Sequence, residues 1–379
     1  MRVLMVSKAC VVGQYQLKLE ELARQPDMEL TVVVPPFWRD ERGTLTLERA
    51  HTHGYTLRVE PLRFNGQFHL HFYPTISRVV REVRPDLIHI DEEPYNLASF
   101  LLVRAARPVA AKALFFTWQN ILRRYPVPFS WMESYVLRQT DFAIAGNTEA
   151  GDVLRAKGYA GKLAVIPQFG VDPKVFYPAD RPAPQLPNHS TTLPVRIGYS
   201  GGRLVREKGI DILLRAVAGL EGKWELRILG SGPDKTRLQA LARQLGIDSR
   251  VHFDPPIPST QVSDFLRQLD LAVLPSITRP NWKEQFGRAL IEAMACEVAV
   301  IGSNSGEIPN VIGDAGLIFP EGNVGALRAQ IETLQRDPAI RRELGARGRT
   351  RVLGHYTQAR VAAETYAVYR AILTEKPGV

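Results

Sequence analysis

Residues 195–211 read VRIGYSGGRLVREKGID, and the class of fold turns on this stretch. A β-branched and aromatic run meets two glycines, then a basic segment, then Gly209 and the spacing Ile210, Leu213, Leu214 and Val217. Strand-like residues giving way across a glycine turn to apolar residues at period 3.6 describe a strand feeding a helix, the repeating unit of a parallel sheet. Working outward, the alternation recurs on both sides. Downstream come WELRIL, RVHF, DLAVLP, VAVI and AGLIF, with Val324, Leu327, Ile331 and Leu334 at helical spacing. Upstream come RVLMV, ELTVVV, DLIHI, KALFF, DFAIA and LAVIP, with Ile76, Val79, Val80 and Val83, and Phe129, Met132 and Val136, between them. Each half reads as an α/β domain.

Two domains also follow from size, because 379 residues exceed what one ordinary core organises. Between the halves, residues 177–194 carry Pro178, Pro182, Pro184, Pro187 and Pro194. Proline fixes φ and lacks a donor, so this stretch is expected as a linker rather than a sheet interior. The expected organisation is a first domain over 1–178, a linker over 179–194, a second domain over 195–354 and a final helical segment over 355–379 returning to the first domain.

Composition narrows the function classes. Charged residues at 23% and hydrophobic residues at 45% suit a globular protein rather than a disordered one. Cys10 and Cys296 lie in opposite halves without a C-x-x-C, so neither a disulfide framework nor a zinc site is expected, and a reducing, cytoplasmic compartment fits. The opening MRVLMVSKACVVGQY reads as a first strand, since Lys8 interrupts its apolar run. No apolar run approaches the roughly 20 residues that span a bilayer. A net charge of +9 favours acidic partners: a phosphate-bearing substrate, an anionic membrane or nucleic acid. The arginines of RDPAIRRELGARGRTR are expected on a solvated helix face.

In open parallel sheets ligands bind beyond the carboxyl ends of the strands, so the loops carry the chemistry. After VRIGY, Gly201 and Gly202 permit close backbone approach, and Arg203 and Lys208 set two cations beside a helix N-terminus. That suits a diphosphate; a glycine turn with surface cations is the plainer alternative. There is no G-K-[ST] and no G-x-G-x-x-G, which argues against a P-loop and a dinucleotide fold. The second loop reads PSITRPNWKEQFGRALIE, residues 275–292. Glu284 and Glu292 do not share a helix face, but if Gly287 opens the helix they can each grip a different diol, and N–H groups of Phe286, Gly287 and Arg288 can meet phosphates between them. Solvated helix glutamates are the alternative.

With GGRLVREKG, EQFGRALIEAMA, SGEIPNVIGDAGLIFPEGN and QFGVDPKVFYP in place, the chain resembles the retaining, nucleotide-sugar-dependent glycosyltransferases of family 4. The resemblance implies the GT-B architecture, two facing Rossmann-like domains with a C-terminal helix crossing back to the first. It implies that Arg203 and Lys208 hold the donor diphosphate, Glu284 faces the transferred sugar, Glu292 binds ribose, and Gly13 lets the first domain close over the donor. The donor would be a UDP- or GDP-sugar, the acceptor a glycan or lipid-linked hydroxyl, with no cofactor and no nucleic-acid partner. The absence of D-x-D agrees with metal independence, since preorganised cations can stabilise the leaving diphosphate.

Two departures from the family pattern stand out. The loop after KALFF reads FFTWQN, with Trp118 and Gln119 where many members have a histidine, which puts a histidine-based mechanism in doubt. The turn after AMAC reads Glu297, Val298, Ala299 in place of G-x-P. On the acceptor side, Asp91, Glu92 and Glu93 of DEEPYNL can bind hydroxyls or cap a helix. The segment NILRRYPVPFSWMESYVLR mixes arginines with aromatics, which suits a peripheral contact at the inner face of an anionic membrane. The pairs His51 and His53, and His69 and His71, lack the company a metal site needs. An epimerase of the same architecture and a non-catalytic binder of anionic polymers or membranes remain as rival functions.

Overall fold

A computed structural model describes residues 1–40, 43–179 and 193–374. The chain divides into two compact units, Met1–Gly170 with Gln358–Val379, and Val171–Thr357.

The first unit carries strands β1 (Arg2–Val6), β2 (Glu29–Val34), β3 (Phe37–Asp40), β4 (Gly43–Thr46), β5 (Thr56–Val59), β6 (Leu87–Ile90), β7 (Lys112–Thr117), β8 (Phe142–Ala145) and β9 (Lys162–Val165). Seven form one sheet, β5-β2-β1-β6-β7-β8-β9, with every pair parallel; β3 and β4 pair antiparallel apart from it. Period-2 alternation sends Leu4 and Val6 to one buried cluster and Val3 and Met5 to another. Both faces are covered, which is why these strands are continuously apolar in sequence. The covering helices are α1 (Gly13–Ala23), α2 (Ile76–Val83), α3 (Leu97–Ala106), α4 (Phe129–Gln139) and α5 (Thr148–Ala156).

The second unit repeats the plan with β10 (Val195–Arg203), β11 (Trp224–Ser231), β12 (Val251–Asp254), β13 (Leu271–Leu274), β14 (Ala299–Ser303) and β15 (Leu317–Phe319). Its parallel order is β12-β11-β10-β13-β14-β15. Helices α6 (Ile210–Val217), α7 (Lys235–Gln244), α8 (Val262–Arg267), α9 (Arg288–Ala295), α10 (Ile308–Ile312), α11 (Val324–Arg336) and α12 (Pro338–His355) surround it. A last helix, α13 (Gln358–Thr374), belongs to the first unit, where Val361, Ala362, Val368, Tyr369 and Ile372 join the cluster holding Leu19 and Leu22 of α1.

Several boundaries differ from those expected. The first unit ends at Gly170 rather than 178, because Val171 and Phe176 bury in the second unit's core and Val171 N donates to Tyr356 O at 2.8 Å. Of the proline-rich stretch, residues 180–192 lie outside the described residues, as do 375–379 of the final segment. His355 closes α12, so the returning helix starts at Gln358. Strand β5 escaped the sequence reading because TLRV is an edge strand with half its residues exposed.

The arginines of α12 are also not simply solvated. Arg341 donates to Leu334 O, Arg349 to Ala295 O, and Arg351 to Val311 O at 2.9 Å. Three arginines thus reach the carboxyl ends of three helices, α11, α9 and α10, where unsatisfied carbonyls and the helix dipole both favour a cation.

Candidate active site

Both sheets reverse their chain order beside the first strand of the unit, between β1 and β6 and between β10 and β13. At such a reversal the two loops leaving neighbouring strands diverge and open a crevice at their carboxyl ends.

In the second unit the glycine pair proves to be strand end rather than loop. Strand β10 runs to Arg203, with a register shift between Tyr199 and Gly202. Gly202 adopts φ +72°, and a Cβ built on Gly230 of β11 would lie 2.1 Å from Gly202 O. Nothing lies within 4 Å of a Cβ placed on Gly202 itself, so its backbone is open to a ligand. Gly201 is tighter, since its Cβ would lie 2.3 Å from the Tyr199 hydroxyl. That hydroxyl donates to Arg203 O at 3.0 Å and fixes the end of the strand.

The basic turn Arg206–Lys208 ends at Gly209, φ +62°, whose Cβ would sit 2.0 Å from Pro275 O. A side chain there would force α6 away from the end of β13. Ile277 N completes the junction by donating to Glu207 O at 2.8 Å. Lys208 is thereby delivered to Glu284: Nζ donates to Oε2 at 2.7 Å, and Ser276 Oγ donates to the same oxygen at 2.6 Å. The ammonium also stands 5.0 Å from the centre of the Trp282 ring.

The loop after β14 passes over this pair. Glu307 N donates to Glu284 O at 3.2 Å, and a Cβ on Gly306 would lie 2.0 Å from that carbonyl. Ser303 Oγ donates to Ser276 O at 2.5 Å, so loops from three neighbouring strands converge on Glu284. Gly287, φ +81°, caps α9, which places Glu284 before the helix and Glu292 along it. Burial pushes the Glu292 carboxyl up, opposed by Arg288, whose Nε lies 2.8 Å from Oε1. Phe286 packs edge-on against Tyr356, with ring centres 5.7 Å apart. At the departing turn, Glu297 takes φ +56°, a left-handed conformation easier for glycine.

In the first unit the loops after β1, β6 and β7 are tied together. Asp91 accepts from Ser7 Oγ at 2.5 Å and from Gln168 Nε2 at 2.9 Å; burial pushes its carboxyl up, against the nearby Lys18. Glu92 pairs with Lys8 and lies 3.4 Å from His71 Nε2. Burial alone would push the Glu92 carboxyl up, but Lys8 and His71 hold it down at about 2. Glu93 accepts from Thr117 Oγ1 at 2.5 Å and Trp118 N at 2.8 Å, and burial pushes its carboxyl up to about 7 against those bonds. Trp118 Nε1 donates to Gln168 Oε1 at 2.8 Å, while Gln119 accepts from Lys157 Nζ at 2.9 Å. Gly13 N donates to Glu48 Oε2 at 2.6 Å, and a Cβ on Gly13 would lie 2.6 Å from that oxygen, so residues 48–50 of the same unit cover it.

The structure therefore joins Lys208 to Glu284 beyond β10 and β13, with Gly202 near the end of β10, and in the other unit links Asp91 through Gln168 to Trp118, whose backbone N–H donates to Glu93. Ser276, Trp282, Gly306 and Gln168 were not singled out from sequence. Gln168 and Gly306 lay within the quoted motifs QFGVDP and SGEIP, and Ser276 and Trp282 within the quoted loop over 275–292. The histidine pairs serve different neighbours: His51 and His53 flank Glu20, whereas His69 packs between Tyr95 and Phe129.

Comparison with known proteins bears on both units. A family model described as "Glycosyl transferases group 1" matches residues 195–351, and a "Glycosyl transferase 4-like domain" matches residues 12–168. A D-inositol 3-phosphate glycosyltransferase of Streptomyces bingchenggensis is 30% identical over 252 residues, covering 62% of this chain and 54% of that protein. The match thus spans about half the length of that relative. Sucrose-phosphate synthase from Thermosynechococcus elongatus superposes with a TM-score of 0.72 at 20% identity, covering 98% of this chain and 99% of the other. Anabaena Alr3699/HepE in complex with UDP gives 0.73 at 16% identity, covering 98% and 100%. Both units being matched in order, and the fold recurring over nearly the whole chain, the protein belongs to the family 4-like glycosyltransferases and has their GT-B fold.

Proposed function

We propose that the protein is a retaining hexosyltransferase that moves a sugar from a nucleotide diphosphate to a hydroxyl of a glycan or lipid-linked acceptor, without a metal ion. The observation that carries this reading is the Lys208–Glu284 pair at the reversal point of the second sheet, beside the bare backbone of Gly202. The relatives' glycosyltransferase names and the UDP complex of HepE support the same donor class.

Lys208 and Arg203 would balance the diphosphate as its bond to the sugar breaks, a role preorganised cations perform without reorganisation. Glu284, its Oε2 held by Lys208 and Ser276, would accept from sugar hydroxyls; Glu292 would accept from ribose. Gly201, Phe286, Gly287 and Arg288 shape the backbone around the phosphates. In the transfer, the C1–oxygen bond to the diphosphate breaks, the acceptor oxygen bonds C1 on the same face, and the acceptor proton passes to the departing phosphate oxygen. No histidine is needed, consistent with Trp118 and Gln119 in the β7 loop. Asp91, Glu92 and Glu93 direct their oxygens inward, so their contribution to the acceptor side would be to hold its loops in register, with Gly13 at the start of α1 kept small. An epimerase would need an acid and a base at the sugar, and the β7 loop offers neither.

A thermal-shift screen of UDP, GDP, ADP and their sugars, in EDTA, tests the donor site on wild type and Arg203→Ala. Stabilisation by one nucleotide that vanishes in the variant is expected. No shift with any nucleotide at millimolar concentration would overturn the donor assignment.

A further inference from the structure

On the first unit, the segment leading into α4 projects apolar side chains into solvent. Leu122 is 59% exposed, Val127 81% and Trp131 54%. Three large apolar side chains this exposed within the ten residues 122–131 point to an interaction surface. Pro126 and Pro128, both exposed, stiffen the approach to α4.

The surroundings are cationic and aromatic. Trp131 lies 5.0 Å from Phe100 and 6.2 Å from Tyr135, with Arg104 over Phe100 at 5.6 Å and Arg107 over Tyr135 at 5.8 Å. Arg123, Arg124 and Arg138 are exposed as well. Glu133 is the single acid between residues 97 and 139, and it is buried against Lys157 at 2.5 Å. Within residues 97–139 the face therefore presents apolar tips among arginines without an exposed carboxylate. Among the described residues no helix is long and apolar enough to cross a membrane, so a contact here would lie on a bilayer surface.

We propose that this face docks the protein onto an anionic lipid bilayer, with Leu122, Val127 and Trp131 entering the headgroup region and the arginines meeting lipid phosphates. Charge complementarity selects this occupant: the aromatic ring sits at interfacial depth while guanidinium groups reach the anionic headgroups. A polyanion in solution would use the arginines but leave the three apolar tips wet. The inference is independent of the donor site, which lies in the second unit.

The test is co-sedimentation of the full chain with vesicles of phosphatidylcholine alone or with about 30% phosphatidylglycerol, at low salt and at about 0.5 M salt. Wild type is expected to bind only the anionic vesicles and to lose tenfold or more at high salt. Arg123→Glu/Arg124→Glu and Val127→Ser/Trp131→Ser should each lose tenfold or more. The control Arg215→Glu/Arg342→Glu carries the same charge change on exposed residues of the second unit and should bind as wild type. Circular dichroism melts and the nucleotide thermal shift should be unchanged in all variants, which separates failure of docking from failure to fold or failure of the donor site. Binding to neither vesicle, equal binding to both, or patch variants that bind as wild type would overturn the proposal.

Discussion

The two units place the same kind of charge pair at the same topological point. In the first, Lys8 from the loop after β1 pairs with Glu92 from the loop after β6; in the second, Lys208 from beyond β10 pairs with Glu284 from beyond β13. Each ammonium even stands over a tryptophan, Lys8 at 5.5 Å from Trp38 and Lys208 at 5.0 Å from Trp282. What surrounds the pairs differs. Around Lys8 the spare positions are filled: His71 adds to Glu92, Phe68 lies 4.7 Å from the ammonium, and Ser7 and Gln168 engage the neighbouring Asp91. Around Lys208 the adjoining strand ends in bare glycine followed by Arg203. A parallel sheet with this strand order thus sets a lysine–glutamate pair at the same point twice, and the two differ in the side chains packed around them.

The largest expected effect tests that difference directly. Arg203→Ala and Lys208→Ala should each lower transfer by about 100- to 1000-fold in steady-state assays, the loss typical of a preorganised group facing developing charge. Lys8→Ala should instead cost about 3 kcal/mol of stability in urea melts by leaving Glu92 buried without its cation, while the nucleotide thermal shift persists. If Lys8→Ala abolished the nucleotide shift at unchanged stability, the division of labour drawn here would be broken.

Next in size, Gly209→Ala should destabilise by about 2–3 kcal/mol and remove nucleotide binding, since its Cβ meets Pro275 O and its φ is left-handed. Gly202→Ala, left-handed but uncrowded, should cost about 1 kcal/mol and weaken the nucleotide through the added methyl. Comparing the two by calorimetry and thermal shift separates a structural glycine from one kept for ligand approach.

A pH dependence of stability is expected from Glu93 and Glu92 in the first unit. The Glu93 carboxyl binds its proton more tightly when folded, near 7, than at its ordinary value of 4.5, so the stability it contributes is full below about 4.5 and is lost as pH rises through about 7. Glu92 acts oppositely: its contribution is present above 4.5 and is lost as pH falls through about 2. Glu93→Gln should flatten the melting temperature between pH 4.5 and about 7, and a slope that survives the substitution would assign the titration to another group.

Much of the fold was legible because parallel strands buried on both faces are continuously apolar and the covering helices keep a clean 3.6 period, as in Ile210, Leu213, Leu214 and Val217. Edge strand β5 was not legible, because half-exposed residues leave no such signature. At the candidate site, residue type and spacing pointed to Gly201, Gly202, Lys208, Glu284 and Glu292, and correctly placed the start of α9 after Gly287. They gave no indication that Ser276 would share Glu284 with Lys208, or that Gln168 would join Asp91 to Trp118, since those bonds close across 8 and 50 or more residues.

The sequence by itself determined the α/β class, the doubling of the plan and the glycine and cation content of the strand-end loops, all of which are local patterns. The tertiary structure alone decided that Val171 belongs with the second unit, that α12 directs its arginines to the ends of three helices, and that Glu284 is bound to Lys208. Those outcomes depend on which distant backbone and side-chain atoms are brought within hydrogen-bond reach, and no local spacing encodes that.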